Sequence, residues 1–70
     1  MSSKNLLKRM EEYGVTTEAL SEIINQSRGK TEQKLKGKVS WRLNAEMKVI
    51  VDHFNSLGAS ENIQSLFWDD

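Results

Sequence analysis

The strongest constraint on the fold is an apolar repeat in the second half of the chain. Five apolar residues recur there with spacings of three and four between members of the set: Met47, Ile50, Val51, Phe54 and Leu57. This spacing places the five side chains on one face of a helix, and the glycine that follows them is typical of a helix end. Because a chain of 70 residues can bury only a modest core, we expect this helix to be its centre.

Two further helices are predicted before this one by the same spacing. Residues 3–13 carry an apolar stripe that ends at Gly14, and Thr16 then suits the N-cap of a second helix. Asn25 follows the second helix as a turn residue, since asparagine tolerates positive φ. The stripes consist of Leu6, Leu7, Met10 and Tyr13 in the first helix and Leu20, Ile23 and Ile24 in the second.

The other predicted helices are short and have weaker signals. Residues 28–36 form a third helix that opens after Ser27, buries Thr31 and Leu35, and ends at Gly37. We expect Trp41 to cover one end of the core and Asn44 to cap the central helix. A last helix starts at Ser60 and carries Ile63, Leu66 and Phe67. The sequence therefore predicts an all-α, compact five-helix domain that occupies residues 1–70.

Composition excludes several ways of stabilising or using such a domain. The chain has no cysteine and one histidine, so we expect no disulfide, no metal site and no cofactor. Apolar residues make up 37% of the chain and mean hydropathy is −0.60, values that predict a soluble protein with no membrane segment. The N-terminal residues lack the pattern of a signal peptide, so we expect the protein in the cytoplasm of a cell or of an infected host.

The sequence also lacks the groups that catalysis requires. The acidic pairs Glu11–Glu12 and Asp69–Asp70 are adjacent residues, which point in different directions on a helix and cannot converge on one substrate. There is no glycine-rich phosphate loop and no nucleophile with a base, and His53 reads as an ordinary surface residue. We therefore expect neither an enzyme nor a small-molecule substrate.

Charge is distributed unevenly although the chain is neutral overall. Residues 27–42 contain six basic residues against the single acidic Glu32, a net charge of +5, and the remainder of the chain carries −5. Most charge runs are solvated surface, but this one coincides with the third predicted helix and the segment that follows it. Two short helices joined by a tight turn, the second of them basic, are the plan of a DNA-binding helix-turn-helix over residues 17–36.

Several residues in this region carry a resemblance to a known family. The segments are Gly14-Val15-Thr16-Thr17-Glu18 with Leu20, Ser27-Arg28, Lys34-Leu35 with Gly37-Lys38, Trp41, and Leu43 with Glu46. In these the chain resembles the Cro/lambda-repressor helix-turn-helix family, especially its small temperate-phage members. The resemblance implies five short helices, binding to double-stranded operator DNA as a dimer, and transcription regulation in the genetic switch between lytic and lysogenic growth of a bacteriophage.

The resemblance also implies roles for individual residues. Thr17 falls where the family touches phosphate, Ser27 falls at the cap of the recognition helix, and Lys38 falls where a basic residue meets the DNA backbone. Arg28, Gly29 and Gln33 occupy positions that face base edges in the major groove; arginine pairs with guanine and glutamine with adenine. The remaining basic residues would attract phosphates without regard to sequence; they are Lys30, Lys34, Lys36 and Arg42.

A second function stays open because the motif departs from the family pattern. Ser21, Asn25 and Thr31 replace an alanine, a glycine and an aliphatic residue, and Gly29 offers no side chain to a base. Such departures, together with the neutral net charge, fit an antirepressor, a viral modulator of repression that binds a partner repressor protein and blocks its DNA binding. The same sequence features are compatible with both functions.

The C-terminal aromatic residues also have two interpretations. Leu66, Phe67 and Trp68 could form a contact with a second copy of the chain or with another partner. They could equally form an aromatic lid over the protein's own core.

Overall fold

A computed structural model describes residues 4–68 of the chain. The expected helix start at Ser3 and the acidic pair Asp69–Asp70 lie outside the described residues. The described part contains five helices and no strand. Three are regular α-helices before residue 36: α1 Lys4–Tyr13, α2 Thr17–Ile23 and α3 Arg28–Leu35.

The fourth helix begins with a wide turn. The backbone of Leu43–Met47 is wound as a π-helix, in which the Met47 N–H donates to the Arg42 carbonyl at 2.9 Å, and it continues directly into α4, Lys48–Ser56. The predicted cap at Asn44 is wrong, because the helix already starts at Leu43. The fifth helix, α5, is one π-helical turn, Gln64–Trp68.

The predicted start of α5 at Ser60 is also wrong, for a local reason. The Asn62 side chain accepts from the Ser65 N–H at 2.8 Å while the Ser65 hydroxyl accepts from the Asn62 N–H at 2.9 Å. This reciprocal pair satisfies donors at the beginning of a helix in the manner of a capping box. The chain therefore enters its last helical turn after Asn62.

The core joins all five helices around α4. Phe54 and Ile50 are fully buried, and Trp41 packs edge-on against Phe67 with ring centroids 5.5 Å apart. This confirms Trp41 and Phe54 as core residues. The buried apolar residues are Leu6, Met10, Val15, Leu20, Ile24, Leu35, Trp41, Met47, Ile50, Val51, Phe54, Leu66 and Phe67.

Three members of the predicted stripes lie outside this core. Leu7 and Tyr13 on α1 and Leu57 after α4 are 47%, 37% and 45% exposed. Leu7 lines a shallow groove together with Leu35 and Lys36. Leu57 is the residue at which α4 ends, before Gly58 adopts φ +106°, and the chain turns away from the core there.

The first and last helices are held together by a polar junction. The Arg9 guanidinium donates through Nε to Glu61 Oε2 at 2.7 Å, and the Ser65 hydroxyl donates to Glu61 Oε1 at 2.6 Å. The hydrogen bond from Ser65 is the main cause that lowers the pKa of Glu61 below its ordinary value, and the hydrogen bond and positive charge of Arg9 lower it further. The Asn5 side chain also donates to the Ser65 carbonyl at 3.1 Å. We call this arrangement of Asn5, Arg9, Glu61 and Ser65 the terminal junction.

Candidate nucleic-acid interface

The structure has two helices joined by a tight turn where the sequence predicts them. Thr16 caps α2 by accepting from the Ala19 N–H at 3.1 Å, and Ser27 caps α3 by accepting from the Lys30 N–H at 3.3 Å. Between them Asn25 adopts φ +57°, and the Gln26 N–H donates to the Ser21 carbonyl at 3.0 Å. Such a left-handed residue closes a helix sharply. Both predicted caps and the predicted turn residue are therefore confirmed.

Two residues that depart from the family pattern fit their positions. Ser21 is buried where α2 meets its neighbours, and its hydroxyl donates to the Glu18 carbonyl at 2.6 Å. Thr31 is fully buried, and its hydroxyl donates to the Ser27 carbonyl at 2.9 Å. Both hydroxyls are thus satisfied within their own helices, so neither leaves an unpaired polar group in the core.

The exposed side of α3 carries most of the residues expected to contact DNA. Arg28, Lys30, Gln33 and Lys36 are exposed, and Gly29 faces open space with no atom within 4 Å of where a Cβ would lie. Arg28 Nε lies 3.3 Å from Glu32 Oε1 on the same helix. Both side chains are well exposed, and an exposed ion pair of this kind is weak, so the guanidinium can exchange it for another acceptor.

Lys34 does not belong to this exposed set. Its side chain is only 7% exposed, and Nζ lies 2.6 Å from both carboxylate oxygens of Glu46, which is itself 1% exposed. The ammonium also lies 5.8 Å from the centroid of the Trp41 ring. The structure therefore contradicts the expectation that Lys34 contacts phosphate, because its charge is used inside the protein.

Glu46 is the important residue that sequence reasoning missed. Its Oε1 also accepts from the backbone N–H of Arg42 at 2.8 Å, so one carboxylate joins α3, the segment 39–42 and the start of the fourth helix. The signal was present in the sequence: Glu46 lies one position before Met47 and four before Ile50 on the apolar side of its helix. A charge on that side requires a partner of opposite sign.

A cleft of about 340 Å³ opens between α3 and the segment 39–42. Lys30 and Gln33 line it from α3, Arg42 lines it from the segment, and Lys34 lies between them. The remaining lining residues are Gln26, Val39 and Ser40. Of the predicted site residues, the structure therefore brings Lys30, Gln33, Lys34 and Arg42 to one place.

The remaining predicted site residues lie around this cleft. Thr17, at the start of α2, lines a second shallow groove together with Lys36 from the cap of α3. Lys38 is exposed directly after Gly37, which adopts φ +80° and ends the helix. Five basic side chains are thus exposed over residues 28–42, against the half-exposed Glu32; they are Arg28, Lys30, Lys36, Lys38 and Arg42.

The C-terminal aromatic residues divide between core and surface. Leu66 and Phe67 are 0% and 1% exposed, so the expectation that they contact a partner is wrong for both. They complete the core through contacts such as that between Phe67 and Trp41. Trp68 is 59% exposed and remains a candidate partner contact.

The described residues show neither a membrane-spanning helix nor a metal site. Within residues 4–68, no helix has the length and apolar character needed to cross a membrane. In the same residues no three His, Cys, Asp or Glu side chains form a group suited to a metal ion. Comparison with protein-family models, curated proteins and solved structures found no match to this chain.

Proposed function

We propose that the protein is a small transcription regulator that binds operator DNA through α3. The observation that carries this proposal is the two-sided character of α3. Thr31 and Leu35 are buried in the domain, whereas Arg28, Lys30, Gln33 and Lys36 are exposed on the same helix. A helix with one side held in the core and the other rich in basic and amide groups suits the major groove of B-DNA.

The exposed groups divide into two chemical roles. Arg28 can donate two hydrogen bonds to guanine O6 and N7, and Gln33 can pair with adenine, so these two residues would read sequence. The ammonium groups of Lys30, Lys36 and Lys38 would contact phosphates, which adds affinity without sequence preference. Their number fits a regulator of moderate affinity, because each phosphate contact adds to the salt-dependent part of binding.

The resemblance to the Cro/lambda-repressor family suggests the process in which the regulator acts. In that family such a domain acts in the lysis–lysogeny switch of a temperate phage and binds its operator as a dimer. The all-helical fold with five helices and a capped helix pair is compatible with this assignment. Trp68 is the residue through which we expect a second copy of the chain to make contact, because its large ring is exposed.

The test is selection of duplexes from a library with a randomised central segment, followed by titration of the selected duplex. We expect wild-type binding that depends on sequence and weakens with salt. Arg28→Ala should relax selection at one base position, at a cost of about 1–3 kcal/mol for the preferred base. Lys36→Ala and Lys38→Ala should weaken all sequences equally, each lowering the salt slope by about one.

The matched control is Lys48→Ala, which removes an exposed basic residue from α4. It should leave the selected sequence and the salt slope unchanged. Failure to enrich any sequence would overturn the proposal, as would equal effects of the control and the α3 variants.

A second candidate function is favoured by the start of α3. Gly29 presents only backbone at a position expected to face base edges, so this end of α3 offers few side chains that could read bases. An antirepressor that occupies a partner repressor protein needs no base contacts. In this case the wild-type chain would enrich no duplex, yet it would release the repressor from its operator when both proteins are mixed with that DNA.

A further inference from the structure

The buried ion pair between Lys34 and Glu46 is the least expected contact in the structure. Both groups are withdrawn from water, with exposures of 7% and 1%, and the ammonium lies 2.6 Å from each carboxylate oxygen. Removing two charges from water has a desolvation cost that their attraction often fails to recover. A pair of well-packed apolar residues of similar size would stabilise the same place about equally well.

What an apolar pair could not reproduce is the direction of the contacts. Glu46 Oε1 accepts from Lys34 Nζ and from the Arg42 backbone N–H at 2.8 Å, and so holds two chain segments at one point. Hydrogen bonds to a carboxylate are short and directional. The position of Arg42 relative to α3 is therefore fixed by geometry rather than by general apolar packing.

This contact adjoins the cleft between α3 and the segment 39–42, which is lined by Lys34 itself and by Arg42, whose N–H donates to Glu46. Lys34 lines the cleft, Lys30 and Gln33 stand on the α3 wall, and Arg42 stands on the opposite wall. A change in the distance between Lys34 and Glu46 would change the separation of the two walls. Groups that act together on one ligand lose affinity when their separation is no longer fixed, because binding must then order them.

We infer that Lys34 and Glu46 are positioning residues for the DNA interface, which hold Lys30 and Arg42 on opposite walls of one cleft so that both act on the same stretch of sugar–phosphate backbone. The inference rests on the proposed function. It assigns to Glu46 a role in DNA binding although its side chain is buried. It also explains why Lys34, placed among the basic residues of α3, faces the interior.

The experiment is a double-mutant cycle with a short duplex of random sequence, because backbone contacts do not depend on base sequence. The double variant Lys34→Met/Glu46→Met removes the pair and keeps its volume. Arg42→Ala is introduced into the wild type and into the double variant, and affinity is measured between about 50 and 200 mM salt. Urea unfolding of all four chains shows that each is folded.

We expect the double variant to unfold at a urea concentration close to that of the wild type and to bind the duplex about tenfold more weakly. Arg42→Ala should weaken binding by a clearly smaller factor in the double variant than in the wild type, because Arg42 is no longer held against α3. Lys48→Ala, the matched control, should have the same effect in both backgrounds.

Failure of this inference and failure of the proposed function give different results in this experiment. A folded double variant with wild-type affinity, in which Arg42→Ala has its full effect, overturns this inference and leaves the proposed function intact. Absence of binding by the wild type overturns the proposed function, and the inference with it. Should the double variant not fold, Lys34→Met/Glu46→Gln replaces it, because this pair of changes removes the tie to α3 and leaves no buried charge, while the amide oxygen still accepts from the Arg42 N–H. An unchanged effect of Arg42→Ala in that background again overturns the inference.

Discussion

Within residues 4–68, two junctions between distant parts of the chain are built around an ion pair, and they differ in their access to water. Lys34 and Glu46 join α3 to the start of the fourth helix and are almost fully buried. Arg9 and Glu61 belong to the terminal junction, where the Arg9 side chain is 34% exposed. The N–O distances are similar, at 2.6 Å and 2.7 Å.

The comparison shows that distance alone does not decide the importance of an ion pair. At the terminal junction the Arg9 guanidinium is accessible to water and also pairs with Glu12, so loss of Glu61 leaves little uncompensated charge. At the buried junction water is excluded, and removal of one partner leaves an isolated charge in the interior. The three predictions below test this difference, beginning with the largest effect.

Glu46→Ala should lower the free energy of unfolding by about 3–5 kcal/mol, because the Lys34 ammonium would remain buried without its partner. The measurement is urea unfolding at neutral pH. Glu32→Ala is the control, since it removes the carboxylate of the exposed pair with Arg28 and should change stability little. Equal losses of free energy of unfolding in Glu46→Ala and Glu32→Ala would show that burial does not make one ion pair more important for stability than the other.

Ser27→Ala should lower the free energy of unfolding by about 1 kcal/mol, because the Lys30 N–H would lose its capping oxygen. This variant separates the local contribution that holds α3 from the tertiary contribution of Glu46. The exposed Ser60, in the connection after α4, provides the control Ser60→Ala. A Ser27→Ala loss as large as that of Glu46→Ala would mean that the cap, rather than the buried pair, dominates this region.

Glu61→Gln should have the smallest effect, and the effect should depend on pH. The pKa of Glu61 is lowered in the folded protein by the Ser65 hydroxyl and then by Arg9. The ionised carboxylate therefore contributes stability above its ordinary pKa, and this contribution disappears as pH falls through the lowered value. In urea unfolding, wild type should have the larger free energy of unfolding at neutral pH, and the difference from Glu61→Gln should disappear at acidic pH.

The matched control for this variant is Glu22→Gln, which neutralises an exposed carboxylate on α2. It accounts for the general effect of removing one negative charge. If wild type and Glu61→Gln differ in free energy of unfolding by the same amount at every pH, the ionised Glu61 carboxylate does not stabilise the fold in the way proposed.

Features set by neighbouring residues were predictable from the sequence. The caps at Thr16 and Ser27 and the left-handed turn at Asn25 depend on side chains and backbone only a few residues apart. The core side of α4 follows from helical spacing, which identified Met47, Ile50, Val51 and Phe54 as buried.

Features set by distant contacts were not predictable in the same way. Lys34 and Glu46 are twelve positions apart, and the basic run around Lys34 suggested solvent rather than the interior. The α5 boundary is a local exception: it depends on the hydrogen bonds between Asn62 and Ser65, three positions apart, which the spacing of apolar residues does not reveal. For the candidate site, residue types were predictable, but the grouping of Lys30, Gln33 and Arg42 around one cleft required the fold.

The terminal junction also constrains when the domain can fold during its synthesis. Asn5 and Ser65 are 60 positions apart, and α1 packs against α5. Leu6 is fully buried, yet α5, which packs against its helix, is synthesised about 60 positions later. The helix pair α2–α3 can form earlier through local contacts, whereas closing so long a loop is entropically costly. The core can therefore be completed only after α5 has been synthesised.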